Sequence, residues 1–344
     1  MNAASPHIPV RQAWLAQVQE PALEPALPVI DAHHHLWDRP GLRYLQDEYQ
    51  ADIDAAGHNV VATVYAQCRS MFDPAAEPAF APVGEVQFAA GVAACSASGL
   101  YGPTRMNAAI IAGADLRLGE AVLPVLEVMH ERAGARLRGV RNTTAWHPDP
   151  RLVTNSRPAP AGVLSEAAFL RGAACLARLE LVLDIWAYHT QLDEVTALAE
   201  RLPDQPIVID HVGGPLGAGP YQGHRDEVFV EWASAITRLA RYPNVHLKLG
   251  GLGMSVSGFD LHLQPQPPSS IQLAELWRPY ILHCIECFGP QRCLFESNFP
   301  VDKGMYGYGV LWNTFKRLTQ SFSAHERASL FSQTAAKLYR IALP

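Results

Sequence analysis

A chain of 344 residues, 49% hydrophobic and 17% charged, is long enough to enclose a large core, and that balance excludes a disordered or fibrous protein. Its formal charge of -6 without any basic run argues against nucleic-acid binding, since phosphate neutralisation needs clustered Lys and Arg. No stretch of 18 apolar residues and no leader of basic, apolar and small residues is visible, so a cytoplasmic protein without a membrane partner is expected.

In chain order, residues 1–28 carry a short amphipathic piece at 10–18, followed by Pro21, Pro25 and Pro28, which deny it a regular continuation. This reads as an N-terminal arm. From residue 29 short β-rich apolar runs alternate with longer segments of helical periodicity, the pattern of βα units around a parallel sheet. Strands are predicted at 28–33, 60–67, 87–94, 136–141, 181–186, 206–211, 244–249 and 292–296. Helices are predicted at 118–133, 165–179, 192–202, 227–242, 271–288 and 324–340. Eight such units favour an α/β fold with a single (β/α)8 TIM barrel over residues 29–344, whose active site is built where the strands end. The Gly- and Pro-rich segments 213–223 and 264–268 are expected as loop excursions over that face; the first lacks the register of a nucleotide-binding loop. Six scattered cysteines fit free thiols, and Cys284 and Cys287, a C-x-x-C pair inside a predicted helix, fit the core.

Polar residues gather at the predicted strand ends. The first strand runs into three consecutive histidines, and alternation puts His33 and His35 on one face with His34 turned away. Such a pair can bind a metal or polarise a carbonyl and a water. Gln67 and Arg69 follow the second strand, Arg141 and Asn142 end the fourth, and Tyr188 and His189 follow the fifth. Asp210 and His211 end the sixth, Lys248 lies on the seventh, and Ser297, Asn298 and Asp302 follow the eighth. By the same alternation Asp210 is expected to point away from His211 and to be structural. The fork of Arg141 suits a substrate carboxylate, with Arg69 and Lys248 as assistants, and Lys248 alternatively as an oxyanion partner. Trp37, Trp146, Trp186 and Tyr188 lie near the same ends, where they can wall a pocket or serve only as core.

Three motifs carry a family resemblance: IDAHHHLWD at 30–38, IDHVGGP at 209–215 and ESNFPV at 296–301. They are similar to the strand 1, 6 and 8 signatures of the amidohydrolase-related family 2 barrels. More closely they resemble the branch of TIM-barrel metal-dependent hydrolases that holds sugar-acid lactonases and 2-pyrone-4,6-dicarboxylate lactonase. The resemblance implies His33, His35 and His189 as metal ligands together with a strand-8 aspartate, and His211 as the residue that works on the water. Here that aspartate is Asn298. A neutral amide weakens a metal site and accepts no proton, so either one zinc or no metal is expected, and His211 or Asp302 is left as the base. The reading is a hydrolase that opens a lactone of a carboxylated organic or sugar acid. Rivals are a metal-dependent decarboxylase of an aromatic or unsaturated acid, and an inactive barrel that binds a small acid. A carboxylated small molecule is the expected partner, and the arm and Pro-rich excursions offer surfaces for a homodimer.

Overall fold

The computed structural model describes residues 7–155 and 157–343. Eight parallel strands form one sheet in sequential order: β1 (Val29–His34), β2 (Val60–Ala66), β3 (Arg105–Gly113), β4 (Leu137–Thr143), β5 (Val182–Trp186), β6 (Ile207–Ile209), β7 (Val245–Leu249) and β8 (Cys293–Phe295). The barrel closes just beyond the β8 ladder. His34 bridges Phe299 in parallel, Asn298 N–H donates to His33 O at 2.9 Å, and His35 N–H donates to Phe299 O at 2.7 Å. Asp31 reinforces that seam, its buried carboxylate accepting from Ser297 N–H at 2.8 Å, Tyr49 Oη at 2.6 Å and Tyr308 Oη at 2.9 Å.

Two apolar layers follow from strand alternation. Ile30, Val64, Ile111, Val182, Val208 and Leu294 fill the barrel interior, which Tyr339 and the C-terminal helices cap from below. Leu183, Ile185, Ile207, Ile209, Leu247 and Leu249 instead face the surrounding helices. The helices in order are α1 (Gln12–Leu15), α2 (Gln46–Ala56), α3 (Val83–Ala97), α4 (Leu123–Ala133), α5 (Ala167–Cys175), α6 (Leu192–Arg201), α7 (Arg225–Leu239), α8 (Ser270–Phe288), α9 (Tyr308–Leu318), α10 (Ala324–Ala328) and α11 (Thr334–Leu338). Cys284 is buried in α8 as core. Among the described residues no helix is long and apolar enough to cross a membrane.

One predicted strand is wrong. Residues 87–94 lie inside α3, whose buried Val86, Ala89, Val92, Ala93 and Ser96 recur at helical spacing. The third strand is Arg105–Gly113, where Ala, Asn and Gly replace the usual β-branched residues and Asn107 takes a left-handed φ of 54°. The helices α2 and α9 had no predicted counterpart.

The arm lies against the barrel. Trp14 Nε1 donates to Gln264 O at 3.1 Å and Arg11 donates to His262 O, so the arm braces the excursion after β7. Farther along, Asn313 of α9 accepts from Leu23 N–H at 2.8 Å and donates to Glu20 and to Pro21 O, each at 3.0 Å.

Candidate active site

A cavity of about 470 Å³ opens at the C-terminal ends of the strands, with His35, Arg141, His211 and Asn298 on its surface and Trp37 and Trp186 as walls. Three backbone departures aim its floor. The ladder between β1 and β2 slips between Asp31 and His34, so β1 carries one extra residue there. His33 and His35 then meet at 3.2 Å between their Nε2 atoms, whereas His34 turns outward to Thr63 Oγ1 at 2.9 Å. His211 and Val212 both adopt left-handed backbone, φ 56° and 49°, a strained choice for residues other than glycine. Asn298 does the same at φ 54°.

The bend at His211 corrects one expectation and explains it. Val208 and Asp210 continue the inward set of β6, so Asp210 points into the barrel, fully buried, rather than away from it. His211 reaches the mouth because its backbone turns left-handed, which simple alternation does not foresee. Asp210 accepts from Arg141 Nη1 at 3.0 Å and pairs with Lys248 at 2.9 Å, and its Oδ1 lies 3.3 Å from His33 Nδ1.

Glu296 is the residue the sequence reading passed over. Inward alternation from Leu294 places it at the barrel centre, fully buried, with Oε1 at 2.7 Å from His211 Nδ1 and 3.0 Å from His211 N. Its Oε2 lies 3.1 Å from His33 Nδ1. Burial works against the charge, yet the positive fields of His211 and His33 hold this carboxyl down at about 2. Reciprocally, burial disfavours the His211 imidazolium, but the Glu296 charge and hydrogen bond outweigh it and raise His211 above its ordinary value. With Nδ1 engaged by Glu296, the Nε2 of His211 is the nitrogen left for the cavity.

Beneath the floor sits Lys248, fully buried, with Nζ at 2.7 Å from Asp184, 2.9 Å from Asp210 and 3.1 Å from His33 Nδ1. Burial opposes its charge, but Asp184 and Asp210 hold the ammonium well above the ordinary lysine value. Of the two acids, burial and the neighbouring Asp210 push Asp184 up, while Lys248, His33 and Arg141 keep Asp210 ionised against its burial. Lys248 does not line the cavity. It lies beneath the histidine floor, against His33, Asp184 and Asp210.

The other predicted residues separate into two groups. Arg141, Arg69, Trp37 and Asn298 line the cavity. Tyr188, His189 and Asp302 do not. Tyr188 donates to Leu152 O at 2.6 Å behind Trp186. His189 accepts from Leu216 N–H at 3.2 Å through Nδ1, packs on Tyr221, and is held by burial at about 4. Asp302 accepts from Asn298 Nδ2 at 2.8 Å, from Gly253 N–H at 2.9 Å and from Tyr306, so its oxygens are used in fixing the Asn298 amide. Burial pushes it up to about 6.

This chain matches the amidohydrolase family model over residues 30–341. It belongs to the amidohydrolase family. An uncharacterised protein, y4mH, of Sinorhizobium fredii is 30% identical over 91% of this chain and 98% of its own. An L-fucono-1,5-lactonase of Burkholderia multivorans is 30% identical over 69% of this chain and 73% of its own. A crystal structure of an amidohydrolase from Burkholderia multivorans with bound zinc superposes with a TM-score of 0.70 at 26% identity, covering 91% of this chain and 99% of that one.

That relative holds zinc, and in this amidohydrolase the ligand set implied by the resemblance is not brought together. His189 stands apart from His33 and His35, and the strand-8 position holds a neutral amide. His35 Nδ1 faces Ala66 O at 2.8 Å, so it donates there, and Nε2 carries the lone pair. His33, however, meets Lys248 Nζ at 3.1 Å on one nitrogen and Arg141 Nη1 at 3.2 Å on the other, so each already faces a cationic group. Two further sets, His33 with His211 and Glu296, and His33 with Asp184 and Asp210, bring potential ligand atoms within 4.8 Å of one another. In the second the Lys248 ammonium takes the cation's place, and in the first His211 holds Glu296 Oε1 while Oε2 faces His33 Nδ1.

Proposed function

We propose that this amidohydrolase opens a lactone of a carboxylated organic or sugar acid by attack of water on the ring carbonyl. The observation that carries the reading is the His211–Glu296 pair at the cavity floor, a base on a buried carboxylate that fixes and strengthens it. Likeness to a lactonase over most of the chain supports the same class.

His211 Nε2 takes the proton from water as the oxygen attacks, Glu296 stabilises the imidazolium that results, and the proton passes to the ring oxygen as the C–O bond breaks. Arg141 stands 3.2 Å from His33 Nε2, the His33 and His211 rings are 4.7 Å apart, and Arg141 lines the cavity, so its guanidinium is a cation within reach of that chemistry. It stabilises the oxyanion, donated charge that a lactone needs less of than an amide does. Asn298 offers its amide oxygen to orient the water, with Asp302 locking the other end of the amide. Trp37 and Trp186 give flat apolar walls that suit a ring.

Turnover of a panel of aldonolactones and pyrone carboxylates, followed by acid release with a pH indicator, tests the reading. His211→Asn is expected to lose at least about 10³-fold in kcat, and Glu296→Gln about 10²-fold with KM little changed. A wild-type protein inert on the whole panel, or a His211→Asn variant with full activity, contradicts it.

A further inference from the structure

Beside the main cavity lies a second of about 310 Å³, and the two share Gln67, Arg69, Arg141, Asn142 and Thr143 in their walls. They are therefore chambers of one continuous mouth. Four guanidinium side chains border the smaller chamber: Arg69, Arg117, Arg141 and Arg157. Two are already in ion pairs, Arg117 with Glu166 at 2.9 Å and Arg141 with Asp210 at 3.0 Å. Among the described residues neither Arg69 nor Arg157 is in direct contact with a carboxylate, the attraction of Glu85 for Arg69 acting at longer range. Like charge alone brings no pair together: burial first, and then the Arg157 charge, lower Arg69 against the pull of Glu85.

Arg69 is also held in place by a strained backbone and by an aromatic contact. Its backbone is left-handed at φ 63°, and its guanidinium lies 5.2 Å from the Phe72 ring centroid. Asp115, the carboxylate in the same wall, is turned to the backbone N–H of Arg117 at 3.0 Å and so leaves the two arginines unpaired. A forked cation pair lining a side chamber is the chemistry that receives an anion bidentately.

We infer that the side chamber is an anion subsite in which Arg69 and Arg157 hold an acidic substituent of the ligand, a carboxylate or a phosphate ester, while the ring to be opened lies in the main chamber. This rests on the hydrolase reading only for the word ring; binding is separable from turnover. The inference narrows the substrate to an acid whose charged group projects from the ring toward β2, β3 and β4 rather than toward Trp186.

Calorimetric titration tests it without catalysis, using benzoate, isophthalate and 3-carboxyphenyl phosphate on wild type and on the Arg69→Gln, Arg157→Gln double variant. Isophthalate or the phosphate is expected to bind the wild type at least about tenfold tighter than benzoate, and the double variant to lose that preference while benzoate changes less than about twofold. Which of the two gains more, isophthalate or the phosphate, distinguishes carboxylate from phosphate. Equal affinity for all three probes in the wild type, or an undiminished preference in the variant, overturns the subsite. If the lactone panel fails but the preference stands, the subsite survives and the hydrolase reading falls; if lactones turn over without the preference, the reverse holds.

Discussion

A methyl group at Gly251 would sit 2.4 Å from both Cγ and Nδ1 of His211, and one at Gly250 would sit 2.5 Å from Glu296 Cγ. The His211–Glu296 pair thus occupies space that exists only because β7 ends in two glycines, the second at φ 69°. Gly251→Ala is expected to displace the imidazole and lower kcat by at least about 10²-fold while circular dichroism still shows the folded barrel; unchanged turnover would remove the steric argument. The sequence showed His211 through its motif but hid the support. Asp210 was misjudged because His211 reaches the mouth only through a left-handed backbone that alternation does not foresee, whereas Glu296, whose inward face alternation does give, was passed over as the first residue of a motif. The same residues bear on metal dependence: with Arg141 and Lys248 on the two nitrogens of His33, dialysis against EDTA is expected to leave turnover within about twofold. A loss of tenfold or more that zinc restores would show that these side chains move aside for an ion.

At the scale of elements, the arm is tied to α9 by Asn313 and by Lys316, whose Nζ donates to Leu23 O at 2.7 Å and Glu24 O at 2.9 Å. Asn313 is nearly fully buried and serves Leu23 N–H, Glu20 and Pro21 O together. Asn313→Ala strands these groups, and its expected cost is about 1–3 kcal/mol, read as a lower urea midpoint with kcat retained. A variant as stable as wild type would mean that the arm is held by its other contacts. Such a tie is not legible in sequence, because it joins residues nearly three hundred positions apart. Seven of the eight strands were legible from apolar runs with turn residues at their ends. The third was not, since Arg105–Gly113 reads as Ala- and Gly-rich while α3 before it, rich in Val and Ala, mimics a strand. Small residues suit β3 for a packing reason: Gly113 abuts Gln67, leaving room for the side chain that enters the mouth.

For the molecule as a whole, buried neutral histidines are expected to lower stability in acid. His58, 6% exposed, donates from Nε2 to Gly309 O at 3.1 Å and accepts from Lys316 Nζ at 2.9 Å on Nδ1. Burial first, and then the Lys316 charge, hold its pKa at about 4 rather than 6.5; burial and Arg292 do the same to His246. In the unfolded chain both titrate near 6.5, so between that pH and about 4 the unfolded state binds more protons than the native one. Stability from this source is complete above about pH 6.5 and is lost as pH falls toward 4, by on the order of 2 kcal/mol for His58. The melting temperature is therefore expected to fall between pH 7 and pH 4.5, and the fall to be shallower in His58→Gln, whose amide can keep both hydrogen bonds without gaining a proton. Thermal unfolding of both proteins at those two pH values decides it: parallel declines would place the acid sensitivity elsewhere, whereas a flattened slope would assign it to the junction where His58 and Lys316 join the α2–β2 turn, α9 and the arm.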